Sequence, residues 1–468
     1  MSLDIKRLVY DHSPIWWQNF MCTVAGHMRV RVRYDKLFEQ RRRFFREAGR
    51  WSLDESEAYQ LEKLQHLARH AYEQVGYYRR LFDQVKLKPQ DIRKLSDWQK
   101  IPTLSKDDIR CAGEDLIASG YNIKKLAVSQ SGGSTGMPMV CYHDRECLAD
   151  VYASFWEYHR PGVKRSDPYA TFQGMVLIPQ SQKGGPYWRM NKAMNQRLYS
   201  IFHLSEETVS QYIEDINRFK PVYFAGYANS LYLLAKLAEE AGIVPQWAPK
   251  AVFSTSEQLL SSYKKTIERV FRTKVWDAYS QAEACGSISE YECGYYHYDR
   301  AYGYMEFKDK EAKGTRHVAE IICTGFLNDA WPLLRYRVGD LVEYEMVETC
   351  PKCGRSGPII HEIRGRTGDV LITPSGRRFP HISLIVKNLR GVRQLQVLQK
   401  AREAITIRYV PAEDFQGNKD EKFIIESFQK AVNEPINWTA EKVSKIPRTQ
   451  NGKFLSIINE LDKSEPSG

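Results

Sequence analysis

Four side chains that commonly bind metal occur as two closely spaced pairs in the second half of the chain. Cys293 and His297 are separated by three residues in ECGYYHYD. Cys350 and Cys353 are separated by two residues in CPKCGR. Thiolates and imidazole at these spacings are typical tetrahedral ligands of Zn²⁺, and four protein ligands leave the ion no open position. The sequence therefore predicts a structural zinc site, with Cys285 as an alternative ligand.

A second candidate site is the glycine-rich stretch SQSGGSTGMPMV, which begins at Ser129. Glycine permits backbone conformations in which successive N–H groups point toward one anion. The predicted phosphate ligands are Ser131, Gly132, Gly133, Ser134, Thr135 and Gly136. The stretch lacks the GxxxxGK[ST] pattern of P-loop NTPases. On these residues alone, a flexible surface loop is the competing interpretation.

Five further motifs follow this loop in order: FSTSEQL (253–259), DAYSQAEACG (277–286), LLRYRVGD (333–340), IRGRTGDVL (363–371) and IPRTQNGKF (446–454). Together they resemble the adenylate-forming superfamily of acyl-CoA synthetases, peptide-synthetase adenylation domains and luciferases. The resemblance is strongest to phenylacetate–CoA ligase and its capsule-biosynthesis relatives, and it covers nearly the whole chain. Six motifs in the right order make it specific.

The resemblance implies nucleotide-binding roles for individual residues. Tyr279 would stack on adenine. The residues implied along the base are Thr255, Ser256 and Glu257. Glu283 would hold Mg²⁺, which prefers hard oxygen ligands, and Asp340 would accept hydrogen bonds from both ribose hydroxyls. Arg366 would support the phosphate or the ribose.

The same resemblance assigns the chemistry to Lys453 in PRTQNGK, whose ammonium would bridge the α-phosphate of ATP and the attacking carboxylate. A carboxylic acid would become acyl-AMP, and the acyl group would then pass to CoA or to an amine or hydroxyl, in polysaccharide or secondary-metabolite biosynthesis. Closure of the interdomain cleft would aid this chemistry. The candidate substrate residues are Tyr227, Asn229, Gln281 and Ala282, with His143 as a further candidate.

Three positions depart from the family pattern. Met137 stands where the family has a loop lysine, Ala282 where it has a hydroxyl, and Gly368 where it has a hinge acid. Two other functions therefore stay open. One is a non-catalytic relative that binds a ligand or a partner, and the other is adenylylation of a hydroxyl on a deazaflavin coenzyme.

The composition is that of a globular protein large enough for two or three domains, with 468 residues, 43% hydrophobic and 12% aromatic. No apolar leader stands at the N-terminus, so we expect a cytoplasmic protein in which its nine cysteines are reduced. The net charge of +11 is modest, and no nucleic-acid motif is present.

Residues 28–50 carry nine basic and three acidic residues, which suits a solvated helix, a membrane surface or an acidic partner. Monomer and dimer stay open.

The elements that must position these residues are predicted by periodicity. Residues 1–115 are largely helical, and short strands alternate with helices after Ser129, which favours an α/β fold with parallel sheet. A strand-rich region follows from 303 to 346. We expect a large N-terminal domain over 1–366 that binds ATP and the acid. A small, mobile α+β domain over 367–468 would carry Lys453.

Met137→Lys tests whether the missing loop cation limits the enzyme. A charge-assisted contact is worth roughly 1.5–3 kcal/mol, or about one to two decades in affinity or rate. If no other cation fills the gap, the variant will bind ATP more tightly or turn over faster in a pyrophosphate-release assay. A fall in activity would contradict this account of Met137.

Overall fold

The structure is a computed structural model that describes residues 9–130, 139–179, 182–366, 371–376, 378–379, 385–386, 389–449 and 452–461. The glycine-rich loop from Ser131 to Gly136, and Met137 after it, lie outside the described residues. Ten helices are named here: α1 Ile15–Arg33, α2 Lys36–Ala48, α3 Leu53–Gln74, α4 Gly76–Gln84, α5 Lys106–Ala112, α6 Arg145–Tyr158, α7 Val209–Phe219, α8 Ala228–Glu240, α9 Ser261–Phe271 and α10 Asn418–Val432.

The strands lie mainly after residue 126. They are β1 Ala127–Gln130, β2 Val140–His143, β3 Tyr169–Gln173, β4 Trp188–Asn191, β5 Gln196–Ser200, β6 Tyr223–Tyr227, β7 Ala251–Thr255, β8 Val275–Ser280, β9 Ser287–Glu290, β10 Tyr296–Tyr298, β11 Gly303–Lys313, β12 Arg316–Gly325, β13 Tyr336–Glu345, β14 Ile359–Arg366, β15 Leu371–Ile372, β16 Arg378–Phe379, β17 Val392–Ala401, β18 Ala404–Pro411, β19 Asn437–Lys442 and β20 Ile457–Asn459.

The chain divides into two compact units. Unit 1 comprises Met1–Arg31, Gly162–Asp277 and Gly368–Gly468, and unit 2 comprises Val32–Pro161 and Ala278–Thr367. In unit 1, β5, β3, β6, β7 and the first half of β8 pair in parallel, and β4 joins β5 antiparallel. The apolar core of this sheet includes Phe172, Phe224 and Val252, all fully buried. Their burial holds the carboxyl ends of β6 and β7 at one sheet edge, where open α/β sheets bind ligands.

Unit 1 also contains a smaller sheet near the C-terminus, in the order β19-β18-β17-β20. Strands β17 and β18 are antiparallel, whereas β19 and β20 pair with them in parallel. Helix α10 contributes Ile424 and Phe428 to the core of this sheet, beside Val397 and Ile407. This α+β segment carries Lys453.

Unit 2 is built on antiparallel strands, in the order β11-β12-β13-β14-β10-β9 with the second half of β8 at the end. Trp98 is fully buried and donates from Nε1 to Thr324 Oγ1 at 2.9 Å, which satisfies its one polar atom. Helices α2 to α6 belong to the same unit. The mixed α/β class expected from the sequence, with its small C-terminal α+β segment, is confirmed.

Basic residues of segment 28–50 that lie on helix α2 form ion pairs with a neighbouring helix. Arg41 pairs with Asp150 at 3.2 Å, and Arg46 pairs with Glu157 at 2.8 Å, with both carboxylates on α6. Burial raises the pKa of Asp150 to about 7, although Arg41 opposes this shift. These arginines are therefore engaged in packing one helix against another.

Substitution of Gly226 tests the close approach of β6 to β3. A Cβ atom at this position would lie 2.6 Å from the carbonyl oxygen of Phe172, which is backbone and cannot move aside cheaply. We expect Gly226→Ala to lower the free energy of unfolding by about 1–3 kcal/mol, the usual cost of overpacking. Gly184→Ala is the matched control, because a Cβ there meets no atom within 4 Å. Equal melting temperatures for the two variants would contradict this packing.

Candidate functional site

Glu283, the predicted magnesium ligand in unit 2, is a buried carboxylate with a tyrosine beside it. It follows β8 in a turn and is only 5% exposed. The hydroxyl of Tyr336 on β13 donates to Glu283 Oε1 at 3.0 Å. The pKa of Tyr336 is raised by burial and by the nearby carboxylate, so it remains a donor. Tyr336 therefore fixes the direction of this carboxylate, and sequence motifs gave no sign of the pairing.

Asp340, the predicted ribose ligand, is connected to the predicted adenine-stacking residue. The hydroxyl of Tyr279 donates to Asp340 Oδ2 at 2.5 Å, and Gln281 Nε2 donates to the Tyr279 oxygen at 2.8 Å. Gln281 Oε1 accepts from the backbone N–H of Gly286 at 2.9 Å. Burial raises the pKa of Tyr279 well above its usual value. Three predicted residues thus form one hydrogen-bonded chain, and Arg366 faces Asp340 in the β13–β14 register.

Strands β1 and β2 bring together residues on either side of the glycine-rich loop. Ala127 pairs with His143 and Gln130 with Val140, so the two strands are antiparallel. Ser129 Oγ lies 2.9 Å from His143 Nε2 and donates to the carbonyl of Ala282 at 3.4 Å. Burial lowers the pKa of His143, which favours the neutral ring. Strand β1, which precedes the glycine-rich stretch, is therefore bonded to His143 and to the backbone of Ala282.

In unit 1, the carboxylate of Glu257 accepts hydrogen bonds from backbone N–H groups rather than from side chains. Its Oε2 accepts from the N–H of Asn229 at 3.0 Å, and its Oε1 accepts from the N–H of Phe454 at 2.7 Å. Burial raises the pKa of Glu257, and the cations of Arg448 and Lys453 oppose that rise. The carboxylate thus joins the first turn of α8 to the segment that carries the predicted catalytic lysine.

Arg448 supports the same junction, and the sequence analysis gave it no role although it lies within PRTQNGK. Its Nη2 donates to Asn229 Oδ1 at 2.7 Å, and its Nη1 donates to Ser230 Oγ at 3.2 Å. Gln394 also donates to Asn229 Oδ1, at 3.0 Å. Asn229, predicted to line the substrate pocket, is buried here and holds the C-terminal segment.

Lys453 is presented by a tight turn. The N–H of Thr449 donates to the carbonyl of Lys453, and the N–H of Lys453 donates to Thr449 Oγ1, both at 3.0 Å. Gly452 has φ +72°, and a Cβ there would lie 2.4 Å from Gly174 Cα, so the turn requires glycine. The glycine of PRTQNGK is therefore explained by local geometry.

The remaining predicted residues of unit 1 stand at the carboxyl ends of parallel strands. Tyr227 ends β6 and is half-buried, which raises the pKa of its hydroxyl. Thr255 ends β7, and its Oγ1 lies 3.4 Å from the hydroxyl of Ser256, an exposed residue with φ +69°. The predicted nucleotide and substrate residues are thus divided between the two units.

The four predicted zinc ligands converge in unit 2. Their ligand atoms all lie within 4.8 Å of one another. His297 Nε2 is 3.7 Å from Cys293 Sγ and 3.4 Å from Cys353 Sγ. A tetrahedron with zinc bond lengths has edges of about 3.5–3.8 Å, so these separations fit the ion. The thiol of Cys285, the alternative ligand, instead lies 3.5 Å from Gln281 Oε1.

The turns around the cluster explain its sequence pattern. Gly294 and Gly354 have φ +81° and +71°, and the N–H of Gly354 donates to the carbonyl of Cys350 at 2.9 Å. These reversals bring the two cysteines of CPKCGR to the same side. The donor set can hold a zinc ion that links the β9–β10 region to the segment before β14.

The chain is similar to one protein-family model and to several known proteins. Residues 371–460 match the CapK C-terminal domain family. The chain is 28% identical over 461 residues to Protein CapK of Staphylococcus aureus, covering 97% of this chain and 99% of that protein. It is 26% identical over 341 residues to phenylacetate-coenzyme A ligase of Aromatoleum evansii, covering 70% and 74% of the two chains. These similarities support the adenylate-forming superfamily of ligases as the group to which the chain is related.

Solved structures share the adenylate-forming fold. The crystal structure of 2-hydroxyisobutyryl-CoA ligase in the postadenylation state, in complex with 2-HIB-AMP, superposes with a TM-score of 0.68. The match covers 89% of this chain and 92% of that one at 18% sequence identity. At 18% identity, this similarity shows a shared fold.

Metal analysis tests the cysteine–histidine cluster. We expect about one Zn²⁺ per chain in protein purified without added metal, because four ligands of the right type converge. Cys350→Ser should lose most of the zinc and melt at a lower temperature. Cys111→Ser is the matched control, since Cys111 is an exposed free cysteine. Zinc-free, well-folded wild-type protein would contradict the site.

Proposed function

We propose that the protein activates a carboxylic acid with ATP as acyl-AMP and then transfers the acyl group to CoA or to an amine or hydroxyl acceptor. The main support is the pair of buried carboxylates in unit 2, Glu283 and Asp340, each with a tyrosine hydroxyl bonded to it. Hydrogen bonds that fix the carboxylates before a ligand arrives reduce the reorganisation needed on binding. The named ligases among the relatives support the same reaction class.

In this proposal Glu283 binds the Mg²⁺ that accompanies the triphosphate, and Asp340 accepts hydrogen bonds from the ribose. Tyr279 contributes its ring to adenine while its hydroxyl stays on Asp340. Magnesium would supply charge neutralisation at the phosphates when bound. Strands β1 and β2 flank the glycine-rich stretch in the sequence, and the N–H groups and hydroxyls of that stretch are proposed to bind the phosphates.

Lys453 is proposed to neutralise the charge that develops when the substrate carboxylate attacks the α-phosphate. The new bond joins a carboxylate oxygen to the α-phosphorus, and the bond to the bridging oxygen of pyrophosphate breaks. In the present arrangement, Glu257 holds the neighbouring backbone N–H of Phe454. Glu257 would therefore act as a positioning residue for the turn that carries the lysine, rather than along the adenine base.

Lys453→Ala tests the catalytic assignment. We expect ATP-dependent pyrophosphate exchange, measured with a panel of carboxylic acids, to fall by about a hundredfold or more, because charge stabilisation in the transition state is lost. ATP binding should persist, since the ligands in unit 2 are unchanged. Lys430→Ala is the control, because Lys430 is an exposed residue near the end of α10.

Two results would contradict the proposal. Exchange at near wild-type rate in Lys453→Ala would remove the lysine from the mechanism. ATP binding without exchange for any acid in the wild-type protein would instead favour a ligand-binding relative, which the departures at Met137 and Ala282 suggest. Supplying CoA, amines and sugars after adenylation would then identify the acceptor.

A further inference from the structure

Helix α1 exposes an unusual amount of apolar surface. Among the described residues, fourteen large apolar side chains are exposed, and seven of them precede residue 33. These seven are Val9, Trp16, Trp17, Phe20, Met21, Met28 and Val32. Trp16 is 68% exposed, Phe20 51% and Met28 65%. Exposed apolar residues are normally scattered, so the concentration of six of these residues on α1 indicates an interaction surface.

This surface is fixed by contacts on the other side of α1. Gln18 is buried and accepts from Arg189 Nε at 2.6 Å, and Asn19 Oδ1 accepts from the N–H of Met190 at 2.8 Å. Further along, Thr23 Oγ1 accepts from the N–H of Lys192 at 3.1 Å. A Cβ on Gly26 would collide with the side chain of Asn191. The helix is therefore held against β4 in one rotation, which leaves Trp17, Met21 and Met28 outward.

The strongly charged residues on α1 are all positive. Its nineteen residues contain Arg29, Arg31 and Arg33 and no aspartate or glutamate. Arg29 and Arg31 are exposed, whereas the guanidinium of Arg33 lies 4.4 Å from the ring of Tyr152. By contrast, Arg41 and Arg46 of α2 are paired with carboxylates of α6. Arg29 and Arg31 therefore offer exposed positive charge on α1, toward the start of segment 28–50.

We propose that α1 is a peripheral docking site for an anionic lipid surface. Tryptophan and phenylalanine suit the boundary between headgroups and acyl chains, and arginines nearby attract anionic headgroups. Trp16, Trp17 and Phe20 would enter the boundary, and Arg29 and Arg31 would contact lipid phosphates. Within the described ranges, no helix is long and apolar enough to cross a membrane, so α1 would lie along the surface.

The charge pattern also decides against a second copy of the chain as the occupant. In a two-fold interface the same patch faces itself, so the positive charge of Arg29 and Arg31 would be doubled with no acidic residue on α1 to offset it. Like charges at short range oppose such an interface. An anionic lipid surface is the partner that satisfies both the apolar stripe and its flanking charge.

Co-sedimentation of the full-length protein with lipid vesicles tests this proposal. Vesicles of phosphatidylcholine alone are compared with vesicles that also contain phosphatidylglycerol. We expect binding to the anionic vesicles to be roughly tenfold or more tighter, and to weaken as salt is raised. The variant Trp16→Ser/Trp17→Ser/Phe20→Ser should lose most of this binding. Arg29→Gln/Arg31→Gln should weaken it about tenfold and reduce its salt dependence.

The control is the double variant Val244→Ser/Phe423→Ser, which removes exposed apolar groups elsewhere. It should bind vesicles like the wild type, and all variants should keep the wild-type melting temperature. Three outcomes would overturn the proposal: no binding of the wild type to anionic vesicles, equal binding by the triple α1 variant, or a wild-type dimer in sedimentation equilibrium that the triple variant dissolves. The last result would assign the surface to a second copy.

Discussion

The carboxylate of Glu257 is the contact on which the arrangement of unit 1 around Lys453 depends. It accepts one backbone N–H from the start of α8 and another from Phe454, residues far apart in sequence. Charge-assisted hydrogen bonds of this kind are about twice as strong as neutral ones. Burial raises the pKa of Glu257, so the charged form needs Arg448 and these N–H donors to persist. The position of the PRTQNGK turn therefore depends on one ionisable group.

The two predicted ligand carboxylates of unit 2 are held differently. Glu283 and Asp340 accept hydrogen bonds from the hydroxyls of Tyr336 and Tyr279, whereas Glu257 accepts from backbone N–H groups. A tyrosine hydroxyl directs a carboxylate without neutralising it. In the proposed reaction these carboxylates would meet a metal ion and a ribose hydroxyl. The carboxylates in the two units thus differ in their hydrogen-bond donors, which are tyrosine hydroxyls in unit 2 and backbone N–H groups in unit 1.

The sequence predicted secondary-structure elements and local motifs better than it predicted contacts between residues far apart in the chain. Cysteine spacing was enough to suggest the cluster of Cys293, His297, Cys350 and Cys353, because knuckles and short turns are local. The role of Arg448 was missed, since its acceptor Asn229 is more than two hundred residues away and no pattern connects them. Periodicity alone could not show whether the apolar residues of α1 are exposed or lie in a core. The side of α1 that is buried is determined by its contacts with β4, and none of the sequence motifs includes β4.

The cysteine–histidine cluster has a consequence for how unit 2 is made. Its residues come from two segments that flank β11, β12 and β13, so the chain between His297 and Cys350 begins and ends at the cluster. During synthesis, Cys293 and His297 emerge well before Cys350 and Cys353. A tetrahedral site can be completed only after that whole segment has left the ribosome. Metal capture would then follow the synthesis of all three strands.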